Sequence, residues 1–557
     1  MGGGGGGGGG PTQLFYSRRI GGSPPGDAPD EAAYDEAPDA TTILGAAKLT
    51  GQTAGGWSLG LLDAVTGREM AEFVDELEQP GEAEIAPRTN YLVARVRRDF
   101  REGQSAIGGI GTAVNRNLGD ESLAQELRAS AYTGGVDFFH EWANRSWALS
   151  GLVAGSRIAG EAGVIEDAQS SSARYFQRPD AHHIELDPTA TSLTGYTTSL
   201  ELQKQAGLHW QGGVELSATS PGFEVNDLGF QRDADRREAE VQVEYQENRP
   251  GEVFRQWEVS TEPRVNWNFN GDRLDTSLSL RARLTLLNYW STWLNYERVF
   301  ESMDDRLTRG GPLAMKPSGH QASVNLNSDF SKPYTARASV RYEWDAAGGR
   351  ESTYSLNLGI KPSGTWELSL GPRLSFNTSV AQYVEDVEDP LASETYGARY
   401  VFADLEQTTL SMETRLNVTF TPDLSLEFYV QPFIATGDYG TLKELTSPGT
   451  FDFTRYGIDA GDVTQGEEGD YVVDPDGTGP ADSFTIENRD FNRTSIRGTG
   501  VLRWEWRPGS TLFLVWQQNR SNREDYGDFE FGRDVEAIFQ GDAHNIFMIK
   551  ATYWLGS

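Results

Sequence analysis

Six histidines, His140, His182, His183, His209, His320 and His544, are the residues best suited by type to ligate a metal or move a proton near neutral pH. His182 and His183 stand together in "RPDAHHIELDP", flanked by Asp180, Glu185 and Asp187. That composition suits a surface metal site or a His/Asp hydrolytic pair. Against it, adjacent residues rarely reach one ion together, and a polar loop accounts for the stretch. His209 and His544 each precede a strand-like run and read as rim residues. The stretch "DAGDVTQGEEGDYVVDPDGTGPADS" carries Asp459, Asp462, Glu467, Glu468, Asp470, Asp474, Asp476 and Asp482. Dense oxygen donors separated by glycine turns suit calcium, with Asp470, Asp474, Asp476 and Asp482 as its expected ligands. The stretch lacks the closing Glu and flanking helices of an EF-hand, and a solvated acidic loop explains it as well.

Other chemistry is thin. There is no GxxxxGK[ST] or HExxH string, and no serine motif marks a nucleophile. The close glycines of "IGGIGTAVNR" (107–116) have no helical pattern after them and read as relief of crowding within a strand. The absence of Cys removes disulfides, thiolate catalysis and Cys-ligated zinc. A formal net charge of −34 disfavours nucleic acid as a partner, because neutralising phosphate takes a basic face. An enzyme is therefore not expected.

The remaining charged set is a scaffold feature. Arg95, Arg97, Arg281, Arg283, Arg337, Arg341, Arg415, Arg497 and Arg503 fall on the polar side of alternating segments, with Glu240, Glu244, Glu413, Glu427 and Glu505 among them. Such a mixture suits a wet interior, where charges pair or stay hydrated. It is read either as ion pairs bracing a lumen or as a selectivity surface for a hydrophilic solute.

The elements that would position these residues alternate with period two. In "SLSLRARLTL" (277–286), Leu278, Leu280, Ala282, Leu284 and Leu286 share one face, opposite Ser279, Arg281, Arg283 and Thr285. The same pattern recurs in "EAEVQVEY" (238–245), "TARASVRYEW" (335–344) and "SMETRLNVTF" (411–420), as expected of half-apolar strands. No apolar run approaches the ~18 residues of a helical membrane span.

Connections alternate in length. Short Gly-, Pro- or Asp-bearing turns at 50–56, 331–333, 362–364, 421–423 and 507–510 suit hairpins. Long acidic segments at 21–41, 67–88, 158–190, 300–318, 384–396, 437–492 and 521–543 lie between them. This asymmetry, with aromatics near strand ends, predicts a transmembrane antiparallel β-barrel of the outer membrane, with short periplasmic turns and long acidic extracellular loops. The expected interface aromatics are Tyr342, Trp344, Trp504, Trp506, Tyr553 and Trp554. Taking "QLFYSRRI" (13–20) as the first strand gives about 22 strands, within a range of 20 to 24. A soluble tandem sandwich or a propeller is the alternative; the aromatic placement and the lack of a repeat count against both. The closing "FMIKATYWLGS" is expected to pair with the strand near 13–20, leaving no open edge.

Three stretches, "QLFYSRRIGG" (13–22), "ILGAAKLTGQTAGGWSLGLLDAVTGRE" (43–69) and "RYVFADLEQTTLSMETRLNVTFTPDLSLEFYVQPFIATGDYG" (399–440), resemble a bacterial family of unknown function. The resemblance implies an outer-membrane barrel, usually preceded by a periplasmic sandwich similar to family-nine carbohydrate-binding modules; that sandwich is not expected within these residues, where the glycine run stands in the place of its end. It supplies no catalytic residue. Residues 1–10 read as a glycine tag or placeholder, and 11–557 as a single barrel domain with a long acidic extracellular loop at about 437–492. The expected location is the outer membrane of a Gram-negative bacterium. Expected partners are outer-membrane lipids and lipopolysaccharide, the barrel-assembly machinery, and a surface lipoprotein or periplasmic module. The leading functional expectation is a channel or transport component for oligosaccharides or other bulky solutes; a scaffold for surface proteins is second and a surface hydrolase third.

Overall fold

The computed structural model describes residues 12–466 and 469–555. The protein is all-β, with 61% strand and 6% helix, and is dominated by a large antiparallel sheet. It divides into two compact units, one of residues 1–243, 263–276 and 303–313, the other of residues 244–262, 277–302 and 314–557.

The first unit contains β1 (Ala32–Glu36), β2 (Ile43–Gln52), β3 (Trp57–Thr66), β4 (Glu69–Asp75), β5 (Pro80–Ala86), β6 (Arg88–Phe100), β7 (Ser105–Asn117), β8 (Ser130–Trp142), β9 (Trp147–Ala159), β10 (Ser192–Lys204) and β11 (Trp210–Thr219). Its sheet is a meander, β2-β3-β6-β7-β8-β9-β10-β11, every pair antiparallel. The β1, β4 and β5 strands form a separate three-stranded sheet within the connections at 21–41 and 67–88. Alternation decides exposure strand by strand. In β8 Tyr132, Val136, Phe138 and Trp142 are exposed, whereas Ala131 and Thr133 on the other face are buried.

That second face is covered by the unit's own chain. Helix α1 (Glu121–Glu126) is short, and α2 (Ala162–Ser170) buries Val164, Ile165 and Ala168. Ile165, Ala168 and Leu228 pack on Val93, Val114, Ala131 and Ile158 from four neighbouring strands. The expected first strand at 13–20 is not one. Gln13 makes a single bridge to Phe230, a 3-10 turn occupies Ser17–Arg19, and Tyr16 N donates to the Leu228 carbonyl at 2.7 Å. Leu14 is buried with Ala154, Phe223 and Val225, so the segment's alternation is spent on packing over the sheet rather than extending it. The connection expected as an acidic outer loop at 158–190 likewise packs back on the sheet through α2, because Val164, Ile165 and Ala168 form an apolar stripe.

Strands β12 (Arg236–Glu247), β13 (Phe254–Trp267) and β14 (Arg273–Leu286) carry the chain onward. The second unit then contains β15 (Ser291–Val299), β16 (Ser302–Asp304), β17 (Ala314–Lys316), β18 (Gly319–Asn327), β19 (Tyr334–Asp345), β20 (Arg350–Ser363), β21 (Trp366–Glu388), β22 (Ala398–Thr421), β23 (Leu424–Leu445), β24 (Phe453–Arg455), β25 (Asp462–Gln465), β26 (Tyr471–Asp474), β27 (Phe484–Ile486), β28 (Phe491–Arg507), β29 (Ser510–Glu524), helix α3 (Phe531–Ala537) and β30 (Ala543–Thr552). Its sheet runs β14-β15-β18-β19-β20-β21-β22-β23-β28-β29-β30. The short turns expected at 331–333, 362–364, 421–423 and 507–510 join successive antiparallel strands. Residues 398–421 make one long strand. Among its described residues the acidic segment at 437–492 carries the end of β23, the short strands β24–β27 and the start of β28. β23 continues to Leu445, and β25, β26 and β27 form a sheet whose Val473 and Ile486 are buried with Val384, Val401, Ala403 and Leu442.

Candidate functional site

A buried charged cluster lies in the first unit, where the chain between β11 and β12 folds over β7–β10. The approach is closest at two glycines. A Cβ on Gly195 would sit 2.1 Å from Phe223 N, and one on Gly222 would sit 2.2 Å from the Thr194 carbonyl oxygen. With the backbone held this near, Glu224 N donates to Ser156 Oγ at 2.9 Å. Asp227 then receives Arg116 Nη1 at 2.7 Å and Arg128 Nη1 at 2.8 Å. Glu224 receives Arg174 Nη2 at 2.5 Å. Both partners of that last pair are almost fully buried, Arg174 at 1% and Glu224 at 3% side-chain exposure. Burial alone would raise the Asp227 carboxyl; Arg116 and Arg128 outweigh it and hold its pKa below the ordinary value. Glu224 is held low in the same way, burial being outweighed by Arg174 and Arg128.

A second knot joins three segments of this unit. Asp305 accepts Arg236 on both oxygens, at 2.8 and 2.9 Å. Arg178 reaches Asp180 at 2.9 Å, and Asp180 in turn accepts Leu313 N at 2.6 Å. Burial raises the Asp305 carboxyl, and Arg236 more than reverses this, leaving it below its ordinary value.

Of the His182–His183 pair, His183 is the structured member. Its Nε2 lies 2.7 Å from Asp235 Oδ2, and Phe269 N donates to Asp235 Oδ1 at 2.9 Å. Asp235 holds this place at φ +56, a left-handed conformation uncommon for a non-glycine residue. Among the described residues His183 Nδ1 is buried with no hydrogen-bond partner, so the pair seen is His183 with Asp235 alone. His140 accepts or donates to Ser105 at 2.8 Å and stacks on Trp142. His320 stacks on Trp344 at 4.9 Å. His209 immediately precedes β11, and His544 lies within β30.

The expected calcium ligands do not converge. Among the described residues no group of three or more His, Asp or Glu side chains is arranged to hold a metal ion. Their oxygens serve the backbone instead: Asp470 accepts Asn488 N, Asp474 accepts Gly477 N, and Asp476 accepts Ala481 N. Asp482 follows on the same turn-rich segment, and Glu467 and Glu468 lie outside the described residues.

In the second unit the expected lumen residues share the polar face of the sheet. Arg281 pairs with Glu262 at 2.6 Å, and Arg341 pairs with Glu343 and also donates to Gln321. Arg283 lies 5.0 Å from the Trp293 ring centroid, and Arg337 Nε donates to Asn327 at 2.8 Å. Arg415 is 3.7 Å from Glu413 and stacks on Tyr429, while Arg503 meets Glu505 at 2.8 Å. Arg497 stands in register with Gln431 and Asn519. In the first unit Arg95 pairs with Asp137 at 2.9 Å and Arg97 with Asp99 at 3.0 Å. The aromatic set occupies the opposite face and the strand ends. Tyr342 stacks on Trp344 at 5.3 Å, Trp504 meets Trp506 at 6.4 Å, and Arg507 lies over Tyr553, with Tyr553 and Trp554 exposed.

Sequence reasoning missed Arg128, Arg174, Glu224, Asp227, Asp235 and Asp305. The stretch "SPGFEVNDLGFQRDAD" (220–235) breaks the period-two pattern with Pro221, Gly222 and Gly229, and that break was the available signal.

These features define a class: a β-protein built on a two-faced antiparallel sheet, with inserted segments pinned by buried ion pairs. The chain belongs to the family described as Domain of unknown function (DUF5916), which matches residues 11–556. Comparison with curated proteins returns no match.

Proposed function

We propose that the protein is a transmembrane β-barrel of the outer membrane that serves as a channel or transport component for bulky hydrophilic solutes, oligosaccharides among them. The observation that carries this reading is the division of faces. Val136 and Val153 in the first unit, and Leu294, Val324 and Val340 in the second, stand exposed on one face. The other face carries Arg, Asn and Ser. An exposed apolar sheet face bordered by Trp and Tyr suits lipid and its interfaces. The 13-residue strands β6–β10 are about 43 Å long at ~3.3 Å per residue; tilted by ~40°, they rise about 33 Å, close to a ~30 Å hydrocarbon core. No helix among the described residues is long and apolar enough to cross a membrane. In this reading the segments at 12–20, 160–191 and 220–235, which cover one face of the first unit's sheet, lie on the lumen side.

Conductance of the purified protein in planar bilayers tests the proposal. Steady ion flux that a sugar blocks supports transport, and a silent protein refutes it. Silence with co-purified surface proteins would favour a scaffold. That second reading draws on the β1-β4-β5 sheet, whose open groove of about 760 Å³ is lined by Tyr34, Asp35, Glu36, Glu72, Phe73 and Glu82.

A further inference from the structure

Strand register sorts the charges on the polar face of the second unit into bands. One row of directly paired residues runs from β14 to β29. It begins at Arg283 and Trp293, passes through Arg373, and otherwise holds Asn, Ser and Phe side chains. The next row, two residues nearer the long connections, holds Arg281, Arg341, Arg493 and Arg523, with only Asn, Ser, Thr and Ala between them. Neither row contains a carboxylate, in a protein of net charge −34. Carboxylates begin one row further on, with Glu297, Glu343 and Glu351, and on the opposite side with Glu413, which pairs with Gly371 in the row beside Arg373. Arg281 and Arg341 are satisfied by Glu262 and Glu343. Arg283 and Arg373 are exposed, and among the described residues neither has a carboxylate within 4.0 Å.

We propose that this band binds a carboxylate-bearing oligosaccharide. The inference rests on the transport reading and names the solute class. A guanidinium fork matches a carboxylate in two parallel hydrogen bonds. Trp293, 49% exposed, offers a ring face for the C–H edges of a sugar, and Asn325, Ser339 and Ser355 offer partners for hydroxyls. Spacing excludes one small anion as the natural occupant. Arg283 and Arg373 stand five strands apart along the row, about 24 Å at ~4.8 Å per strand, so no single carboxylate or phosphate spans them. A chain of sugar rings with repeated carboxylates can engage both.

The test is calorimetric titration of the purified full-length protein with a galacturonic acid hexamer and with the same hexamer fully methyl-esterified. Salt-sensitive binding of the acid form is expected, at least tenfold tighter than the ester. The R283Q/R373Q double variant should weaken it tenfold or more, and the charge-preserving R283K/R373K variant should retain most of it. Equal binding of acid and ester, no binding of either, or an unchanged R283Q/R373Q variant would overturn the proposal. Bilayer conductance measured on the same preparations separates the two readings. Binding by a silent protein sustains this inference and removes the channel. A conducting protein indifferent to the acid hexamer removes this inference alone.

Discussion

Replacing Glu224 by Gln keeps the side-chain shape and removes the charge that neutralises Arg174. In the wild type Glu224 accepts Arg174 at 2.5 Å, stands 3.4 Å from Arg128, and accepts Asn226 N at 2.7 Å. In the variant Arg174, 1% exposed, is left with two carbonyls and a hydroxyl: Phe223 O at 2.6 Å, Ala168 O at 3.2 Å and Ser171 Oγ at 3.1 Å. Removing one member of a buried pair strands its partner's charge, at a cost of about 3–5 kcal/mol. Because 1.36 kcal/mol is a factor of ten, local opening of the pinned segments should rise by roughly two to nearly four orders of magnitude. Native-state hydrogen exchange read by mass spectrometry gives the answer peptide by peptide. Amides in 160–180 and 220–235 should lose protection by that factor, while those of β20–β23 keep theirs. Unchanged exchange in 220–235, or a uniform loss across the sheet, would refute the reasoning. Replacing both partners, Glu224→Leu with Arg174→Met, should restore much of the protection, since neither charge is then buried alone.

Acidification should act on the same segments. The folded pKa values of Asp227, Glu224 and Asp305 lie below their ordinary 3.8 and 4.5, so their stabilisation is present above about pH 4.5 and is lost as pH falls through the depressed values; trypsin-free exchange at pH 7, 5 and 3 should show 220–235 opening only in the most acid sample. Gly195→Val should lift the 220–230 segment off β10, because even its Cβ would meet Phe223 N at 2.1 Å, and limited trypsinolysis after Arg232 should become rapid while the strands of the sheet stay uncut. Chelation should leave the calorimetric melting of the protein unchanged, since Asp470, Asp474 and Asp476 already cap backbone amides; a drop in melting temperature would revive a calcium site. Deleting 544–557 removes β30 from its pairing with β29 and should abolish membrane assembly; a truncated protein that still inserts and resists heat would count against the proposed barrel.

Period-two alternation in the sequence assigned strands and faces where no other segment competed for the same side chains. The segments 277–286, 335–344 and 411–420 lie within β14, β19 and β22 with the expected side chains opposed, because a strand's side-chain period is set by local backbone geometry alone. The short hairpin turns were legible for the same reason, their Gly, Pro and Asp residues answering to local φ and ψ. Where that local rule met a competing partner it failed. Residues 13–20 alternate like a strand, yet Leu14 finds Ala154, Phe223 and Val225, and Tyr16 finds the Leu228 carbonyl. The partners of Glu224 and Asp227 come from β7, the α1–β8 turn and the segment after α2, separations no periodicity encodes. The arginine band was equally invisible. Each arginine was assignable to the polar face from its own strand, but which arginines share a row depends on the stagger of every neighbouring strand, and register is a property of paired strands rather than of any one of them.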